Sequence, residues 1–245
     1  MSETKTSRRG LFKVVGGLVA VAAGWQWVLN RPETLSFEPI KGLPEWRQVA
    51  FEGVTLPGGD PSAAVFLGIG DEERGTWPAD QLCPALYPNP TDKLPVAVFT
   101  DVNCPNCRSL ELKLDQRSDR LALTWIDLPL LGPTSEIAAR AAIAASLQPG
   151  GDAFRARAQS RLRGNNLHPS VLEAAAIAGL DPDQLQTDFK GPKVSEILRR
   201  NHAMANTLGV WGTPAMAIGK TMIMGDLSRD TLDQLIDIEM ERKGC

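Results

Sequence analysis

Several features that would point to other chemistries are missing from this chain. Its formal net charge is −3 at pH 7, so there is no basic excess that would favour nucleic acid as a partner. Internal repeats and low-complexity tracts are absent, and there are only two histidines in 245 residues. Four arginines fall in one helical pattern, where they are typical of a solvated helix face rather than a phosphate-binding patch. They are Arg155, Arg157, Arg161 and Arg163.

Long hydrophobic runs are scarce as well. The longest begins at Val14 and can be extended through Leu29, which gives 16 residues, just short of the ~17 to 25 that a spanning helix needs. It follows the run Ser7-Arg8-Arg9-Gly10-Leu11-Phe12-Lys13, and the two together resemble a twin-arginine export signal. Small residues at Ala20-Val21-Ala22 would permit cleavage before Ala23. We therefore predict that residues 1–22 are an export signal or, if retained, a membrane anchor, and that the protein lies in the periplasm or envelope of a bacterium.

Two of the four cysteines lie close together. Cys104 and Cys107 bracket Pro105-Asn106, after an apolar strand-like run at Leu94–Phe99 and at the start of a helical pattern over 105–117. At a helix start, unpaired N–H groups and the helix dipole stabilise a thiolate. The spacing predicts that Cys104 is the nucleophile and that Cys107, one turn later, is the resolving thiol. Pro105 suits the first helical turn, where its missing N–H costs nothing.

A structural disulfide and half of a zinc site are the other interpretations of this pair. Zinc would need two further ligands from Cys83, Cys245, His168 and His202. None of these forms a second closely spaced pair. We therefore expect no metal and no cofactor.

A prolyl motif far along the chain completes a recognisable site. Gly212-Thr213-Pro214 precedes a short apolar run, and Pro129–Ser135 leads into an alanine-rich helix. Together with the Cys-Pro-x-Cys these segments resemble the DsbA-like branch of the thioredoxin superfamily, over roughly residues 94–243. The resemblance implies a thioredoxin-like α/β fold with an inserted helical subdomain, and a protein thiol–disulfide oxidoreductase. It also implies that the bond before Pro214 is cis and faces the sulfurs, and that the backbone of Thr213 pairs with an extended substrate strand.

The chain departs from the family pattern at two positions. Typical DsbA oxidants carry histidine where Asn106 stands, so we expect a less acidic Cys104 and a less oxidising disulfide than in the strongest members. Many members bury a carboxylate on the strand where this chain has Val98. Asp101, nearer the loop, is either a replacement proton acceptor or a turn-forming aspartate.

The rest of the chain divides into an extension and a main domain. Residues 23–93 are rich in proline and glycine, with apolar pieces such as Ala63–Ile69 that could be edge strands. Residues 94–245 form the thioredoxin-like domain, with a helical insertion at about 134–208 and a closing hairpin and helix. The predicted helices of the insertion are Thr134–Leu147, Asp152–Leu162, Ser170–Ala178 and Lys193–Leu208. The predicted hairpin is Ala215–Ile218 with Thr221–Met224, and the last helix starts at Ser228.

Cys83 and Cys245 remain once Cys104 is assigned to Cys107. A structural bond between them would tie the extension to the C-terminus. Free thiols and a second, electron-shuttling pair are the alternatives.

These inferences lead to one main hypothesis and two rivals. The main one is an exported oxidoreductase that forms, reduces or rearranges disulfides in cysteine-containing exported proteins, together with a membrane redox partner. One rival is a reductant or isomerase serving cytochrome maturation. The other is a metallochaperone that holds Cu(I) with the same two cysteines, because soft sulfur ligands favour that ion.

Overall fold

The centre of the fold is a mixed β-sheet. A computed structural model describes residues 35–50, 75–151, 154–155, 175–242 and 244–245, and within them the sheet has the strand order β1-β2-β6-β5-β3-β4. The strands are β1 Ser36–Ile40, β2 Leu43–Ala50, β3 Leu94–Thr100, β4 Leu121–Asp127, β5 Ala215–Ile218 and β6 Thr221–Met224. The helices are α1 Leu82–Leu86, α2 Pro105–Asp115, α3 Pro133–Ser146, α4 Pro182–Lys190, α5 Pro192–Thr207 and α6 Arg229–Glu241.

Strand β3 is buried on both faces of the sheet. Its Val96 and Val98 pack with residues of α2 and α6, whereas Ala97 and Phe99 pack with residues of α1 and α5. Because side chains alternate along a strand, a continuous apolar run is what such a position requires. Strand β3 pairs in parallel with β4 and antiparallel with β5. The carboxyl end of β3 therefore lies beside the beginning of β5.

The inserted helices follow β4 and have a core of their own. Helix α3, helix α4 and the first half of α5 contribute to it, together with Phe154 and Ala175. Helix α5 spans both cores, because its Val194 and Leu198 belong to this cluster while Met204 and Ala205 pack on the sheet. The predicted helices at the two ends of the insertion are confirmed to within two residues. The two middle ones lie largely outside the described residues.

Helix α4 differs from the sequence prediction. We predicted no helix between Ala178 and Lys193, whereas α4 lies there. Asp181 is the N-cap of α4 and accepts hydrogen bonds from the N–H groups of Asp183 and Gln184. Pro182 occupies the first helical position, where proline is favoured because its fixed φ suits a helix.

Strands β1 and β2 come from the stretch that we described as an extension. They form a hairpin whose turn places Gly42 at φ +83°, a left-handed conformation that favours glycine. Strand β2 then pairs in parallel with β6, with Arg47 opposite Thr221. The extension thus contributes strands to the same sheet as the cysteine motif. The predicted strand at Ala63–Ile69 and the signal at 1–22 lie outside the described residues.

Arg155 is buried, which corrects its assignment to a solvated face. It is 8% exposed and forms an ion pair with Asp127, which is 2% exposed. The side-chain amide of Asn201 donates to the carbonyl of Asp127 at 3.0 Å. A buried charge is tolerated when it is paired and hydrogen-bonded. These contacts join the end of β4 to the helical insertion.

The closing hairpin and last helix are confirmed. Strands β5 and β6 pair antiparallel, and Ser228 caps α6 by accepting a hydrogen bond from the N–H of Thr231.

Across the ranges that the structure describes, the helices are too short or too polar to cross a membrane.

Candidate active site

Cys104 occupies the N-cap of α2. Its sulfur accepts a hydrogen bond from the N–H of Cys107 at 3.3 Å, and Pro105 follows as the first helical residue. Both cysteines are free and 5% exposed. The sulfur therefore lies where the unpaired N–H groups of the first turn and the positive end of the helix dipole act on it.

The two thiols shift each other's acidity in opposite directions. A hydrogen bond from the Cys107 thiol is the largest influence on Cys104, and with the backbone N–H groups of Cys107 and Asn106 it lowers the pKa of Cys104 to about 6. The same bond, followed by burial, raises the pKa of Cys107 above its usual range. With a pKa of about 6, the Cys104 thiol is ionised in about nine-tenths of the molecules at pH 7. Cys104 is therefore the ready nucleophile and Cys107 the proton-holding partner.

Thr213 and Pro214 lie beside the nucleophile. The Thr213–Pro214 peptide bond is cis, and the carbonyl oxygen of Thr213 is 3.4 Å from the Cys104 sulfur. The carbonyl can accept a hydrogen bond only from the thiol, whereas the Thr213 hydroxyl donates to the thiolate and lowers the pKa of Cys104. Thr213 precedes the β3–β5 ladder, which begins with Ala215 opposite Phe99. The chain bends at residues 212–214 before it enters β5, with the carbonyl of Thr213 next to the Cys104 sulfur.

Asn106 and Val98, the two departures from the family pattern, lie in different surroundings. Asn106 is exposed in the first turn of α2, and it acts on Cys104 through its backbone N–H. Val98 is 2% exposed, inside the core between β3 and the helices α2 and α6. An apolar side chain therefore occupies the place at which the family pattern would put a carboxylate.

Asp101 lies under the cysteine loop, buried at 3% exposure. Its carboxylate accepts hydrogen bonds from the N–H of Asn103 and from the hydroxyl of Ser135. Asn103 and Ser135 were not found from the sequence. Only a small polar residue three positions into the helix after Pro129–Gly132 hinted at Ser135, and that pattern is common at helix starts.

Cys83 and Cys245, which are 162 positions apart in sequence, form a disulfide. Cys245 lies next to the β5–β6 turn, with its sulfur 3.7 Å from the carbonyl oxygen of Gly219. The N–H of Gly219 donates a hydrogen bond to the carbonyl of Pro95 at the start of β3. Cys104 follows the other end of β3. Because a strand rises about 3.3 Å per residue, the two cysteine pairs are separated by roughly the length of this strand, about 20 Å.

In the described part of the chain, no three side chains from His, Cys, Asp and Glu cluster as metal ligands would. His202 is half-buried on α5, away from the cysteine motif in sequence and on a different element.

A mixed sheet with a free Cys-x-x-Cys at a helix start and a cis-proline loop beside it defines a thioredoxin-like thiol–disulfide oxidoreductase. The comparisons agree with this class. A family model for the DSBA-like thioredoxin domain matches residues 95–237, which is more than half of the chain. The protein therefore belongs to the DsbA-like family of the thioredoxin fold, whose members are thiol–disulfide oxidoreductases. The comparison with curated protein sequences gave no match.

Solved structures of similar proteins share this fold. A thioredoxin-like oxidoreductase from Silicibacter pomeroyi is 28% identical, with a TM-score of 0.57, over 64% of this chain and 97% of that one. A periplasmic thioredoxin-like protein from Salmonella enterica serovar Typhimurium is 27% identical, with a TM-score of 0.58, over 68% and 99%. The thiol-disulfide exchange protein alpha-DsbA2 from Wolbachia pipientis is 22% identical, with a TM-score of 0.58, over 65% and 92%. The last likeness concerns the fold alone.

Proposed function

We propose that this protein is an exported oxidoreductase that exchanges disulfides with cysteine-containing exported proteins through Cys104 and Cys107. The observation that carries the proposal is the asymmetric pair at the start of α2, where the pKa of Cys104 is lowered to about 6 and that of Cys107 is raised. A thiolate is the attacking species in disulfide exchange, and an acidic thiol next to a protonated one supplies both roles.

In the reducing direction, the Cys104 thiolate attacks one sulfur of a substrate disulfide. The substrate S–S bond breaks, a Cys104–substrate disulfide forms, and the other substrate sulfur leaves as a thiolate that takes up a proton. Cys107 then loses its proton and attacks the Cys104 sulfur, which releases the second substrate thiol. Two electrons pass from the dithiol to the substrate, and the enzyme is left with a Cys104–Cys107 disulfide. Substrate oxidation runs through the same steps in reverse.

Thr213 and Pro214 are the proposed platform for the substrate chain. Thr213 lies two residues before the start of the β3–β5 ladder, and its carbonyl faces the Cys104 sulfur at 3.4 Å. An extended peptide that pairs with this backbone would bring its own cysteine next to Cys104, as strand addition does in other peptide-binding proteins. A protein substrate is favoured by this geometry over a small disulfide, which needs no strand platform.

The acidity of Cys104 favours an intermediate redox poise. A pKa of about 6 lies between those of thioredoxin, about 7, and of DsbA, about 3.5. A more acidic nucleophile stabilises the reduced form and so makes the disulfide more oxidising. We expect a reduction potential between the reference values of about −120 mV and about −270 mV, and nearer the second.

Export and a membrane redox partner complete the proposal. The twin-arginine pattern at residues 1–22 supports export, and the disulfide between Cys83 and Cys245 suits an oxidising compartment. We assign that disulfide a structural role, since the length of β3 separates it from Cys104. The copper alternative is less favoured, because Cu(I) would need both sulfurs as thiolates and the raised pKa of Cys107 opposes this.

The test is a trapping experiment on the full chain. Cys107→Ser should accumulate mixed disulfides with substrate proteins, because nothing resolves them, whereas Cys104→Ser should form none and lose turnover. Both variants keep one active-site sulfur, so each is the control for the other. If Cys104→Ser turns over a model disulfide substrate at the wild-type rate, the assignment is wrong.

A further inference from the structure

The loop that carries the dithiol is held from beneath by one buried carboxylate. Asp101 follows β3 directly, and each of its oxygens accepts two hydrogen bonds. Oδ1 accepts from the N–H of Asn103 at 2.8 Å and from the Ser135 hydroxyl at 2.7 Å. Oδ2 accepts from the N–H groups of Leu130 and Leu131 at 2.9 and 3.1 Å. A carboxylate offers about four lone-pair sites, so all of them are occupied.

The backbone of Asp101 forms hydrogen bonds with both cysteines. The carbonyl of Asp101 accepts the N–H of Cys104 at 3.0 Å, and its N–H is a hydrogen-bond partner of the Cys107 sulfur. The side chain is thus fixed by four donors while the main chain holds the two thiols in their relative positions. Because all four of its lone-pair sites accept hydrogen bonds from the protein, the carboxylate is suited to placing other groups.

A second set of bonds continues from this loop into the helical insertion. The side-chain amide of Asn103 donates to the hydroxyls of Thr134 and Ser135 at 3.2 and 3.0 Å. These hydroxyls belong to the first turn of α3, and Ser135 is 1% exposed. The loop of Cys104 is therefore bonded to an element more than 30 positions away, and a buried network of this kind is sensitive to the loss of one member.

We propose that Asp101 is a positioning residue for the dithiol, and that it acts together with Asn103 and Ser135 by fixing the Cys104 loop to the start of α3. The inference rests on the proposed function, because it concerns the same two thiols. When the network is complete, the Cys104 sulfur stays within reach of its donors, the Cys107 thiol and N–H. When it is loosened, the sulfur spends time away from them and behaves more like an ordinary cysteine.

The direction in which Asp101→Asn shifts the pKa of Cys104 distinguishes positioning from a direct effect of charge. If the Asp101 carboxylate acted on the Cys104 thiolate through its negative charge, Asp101→Asn would remove a repulsion and lower the pKa of Cys104. If Asp101 acts by positioning, the amide nitrogen cannot accept the hydrogen bonds of one oxygen, and the pKa rises. Asn103→Ala gives a second test, since it removes the two amide bonds to Thr134 and Ser135 and leaves the carboxylate and its four donors in place.

The experiment titrates the Cys104 thiolate by its ultraviolet absorbance in the reduced full chain, without substrate. We expect Asp101→Asn and Asn103→Ala each to raise the pKa of Cys104 by about half a unit or more. The matched control is Asn206→Ala, which removes an amide that donates to Gly75 and should leave that pKa in place.

The proposal is overturned if Asp101→Asn lowers the pKa, if Asn103→Ala leaves it at the wild-type value, or if Asn206→Ala shifts it equally. Should Asp101→Asn fail to fold, the comparison of Asn103→Ala with Asn206→Ala decides the question. The proposed function is judged separately from wild-type turnover, so an active wild type with an acidic Cys104 and unshifted variants would refute the positioning role alone.

Discussion

Replacing Cys107 by alanine removes the largest influence on the acidity of the nucleophile. In the wild type the Cys107 thiol donates a hydrogen bond that leads the groups lowering the pKa of Cys104 to about 6. Alanine keeps the backbone N–H that bonds to the Cys104 sulfur at 3.3 Å and the helix start itself. The variant therefore separates the contribution of the second thiol from that of the helix, and we expect the pKa of Cys104 to rise.

The size of the shift follows from the strength of the lost bond. A hydrogen bond to a charged group contributes about 1.5–3 kcal/mol, and each pKa unit corresponds to about 1.4 kcal/mol. The pKa of Cys104 should thus move up by about one to two units, to about 7–8. At pH 7 the thiolate fraction would fall from about nine-tenths to between about a half and a tenth.

The rate of alkylation at a single pH is a poor assay for this change. Thiolates become more nucleophilic as their pKa rises, with a Brønsted coefficient of about 0.4–0.5, so the remaining thiolate should react about three to eight times faster. This gain nearly cancels the lost thiolate fraction at pH 7. The informative quantity is the midpoint of the pH–rate profile with iodoacetamide, checked by thiolate absorbance. Cys104 is the only free cysteine of the variant when the Cys83–Cys245 disulfide is intact.

Cys107→Ser is the matched control. Its hydroxyl can still donate to the Cys104 sulfur, so its midpoint should lie between those of the wild type and Cys107→Ala. A Cys107→Ala protein with a midpoint still near 6 would refute the reasoning and would assign the acidity to the helix start alone.

Three further predictions concern the same molecule. Asn106→His adds a donor with partial positive charge to the first turn of α2, so the pKa of Cys104 should fall and the disulfide should become more oxidising, as measured by equilibration with glutathione. Cys83→Ala with Cys245→Ala opens a loop of 162 positions and should lower the free energy of unfolding by up to about 5 kcal/mol in the chain-entropy model, while the Cys104–Cys107 potential stays unchanged. Because the folded pKa of Cys104 is depressed to about 6, its contribution to stability is present above the unfolded pKa of about 8.5 and is lost as the pH falls through 6. Denaturant titrations of the reduced wild type and of Cys104→Ser should therefore diverge as the pH rises from 6.

Each of these has a contrary outcome. A higher pKa in Asn106→His would contradict the electrostatic argument. A double variant of Cys83 and Cys245 that keeps its melting temperature but loses turnover with the physiological donor would indicate a relay pair. Parallel stability curves for wild type and Cys104→Ser would mean that Cys104 is not acidic in the folded protein.

The local parts of the site could be predicted because their signals lie in neighbouring residues. A strand-like run before Cys104 and a helical pattern after it place the cysteine at a helix start, whatever the rest of the chain does. The same holds for the ends of α3 and α5 and for the β5–β6 hairpin. Asp181-Pro182 is also a local signal for a helix start, and it lies at the first turn of α4.

Tertiary contacts decided what no local pattern contains. The pairing of β2 with β6 joins positions 47 and 221, and the bonds of Asp101 reach Leu130, Leu131 and Ser135. Hydrogen bonds of this kind depend on which distant chain segments lie side by side in the fold, and a single sequence contains no local pattern that shows this. The burial of Arg155 has the same origin, since only its partner Asp127 makes a charge acceptable inside the protein. The sequence by itself thus determined the reacting thiols and their order, because a helix start is a local structure. The tertiary structure decided how those thiols are held, because the groups that hold them come from distant parts of the chain.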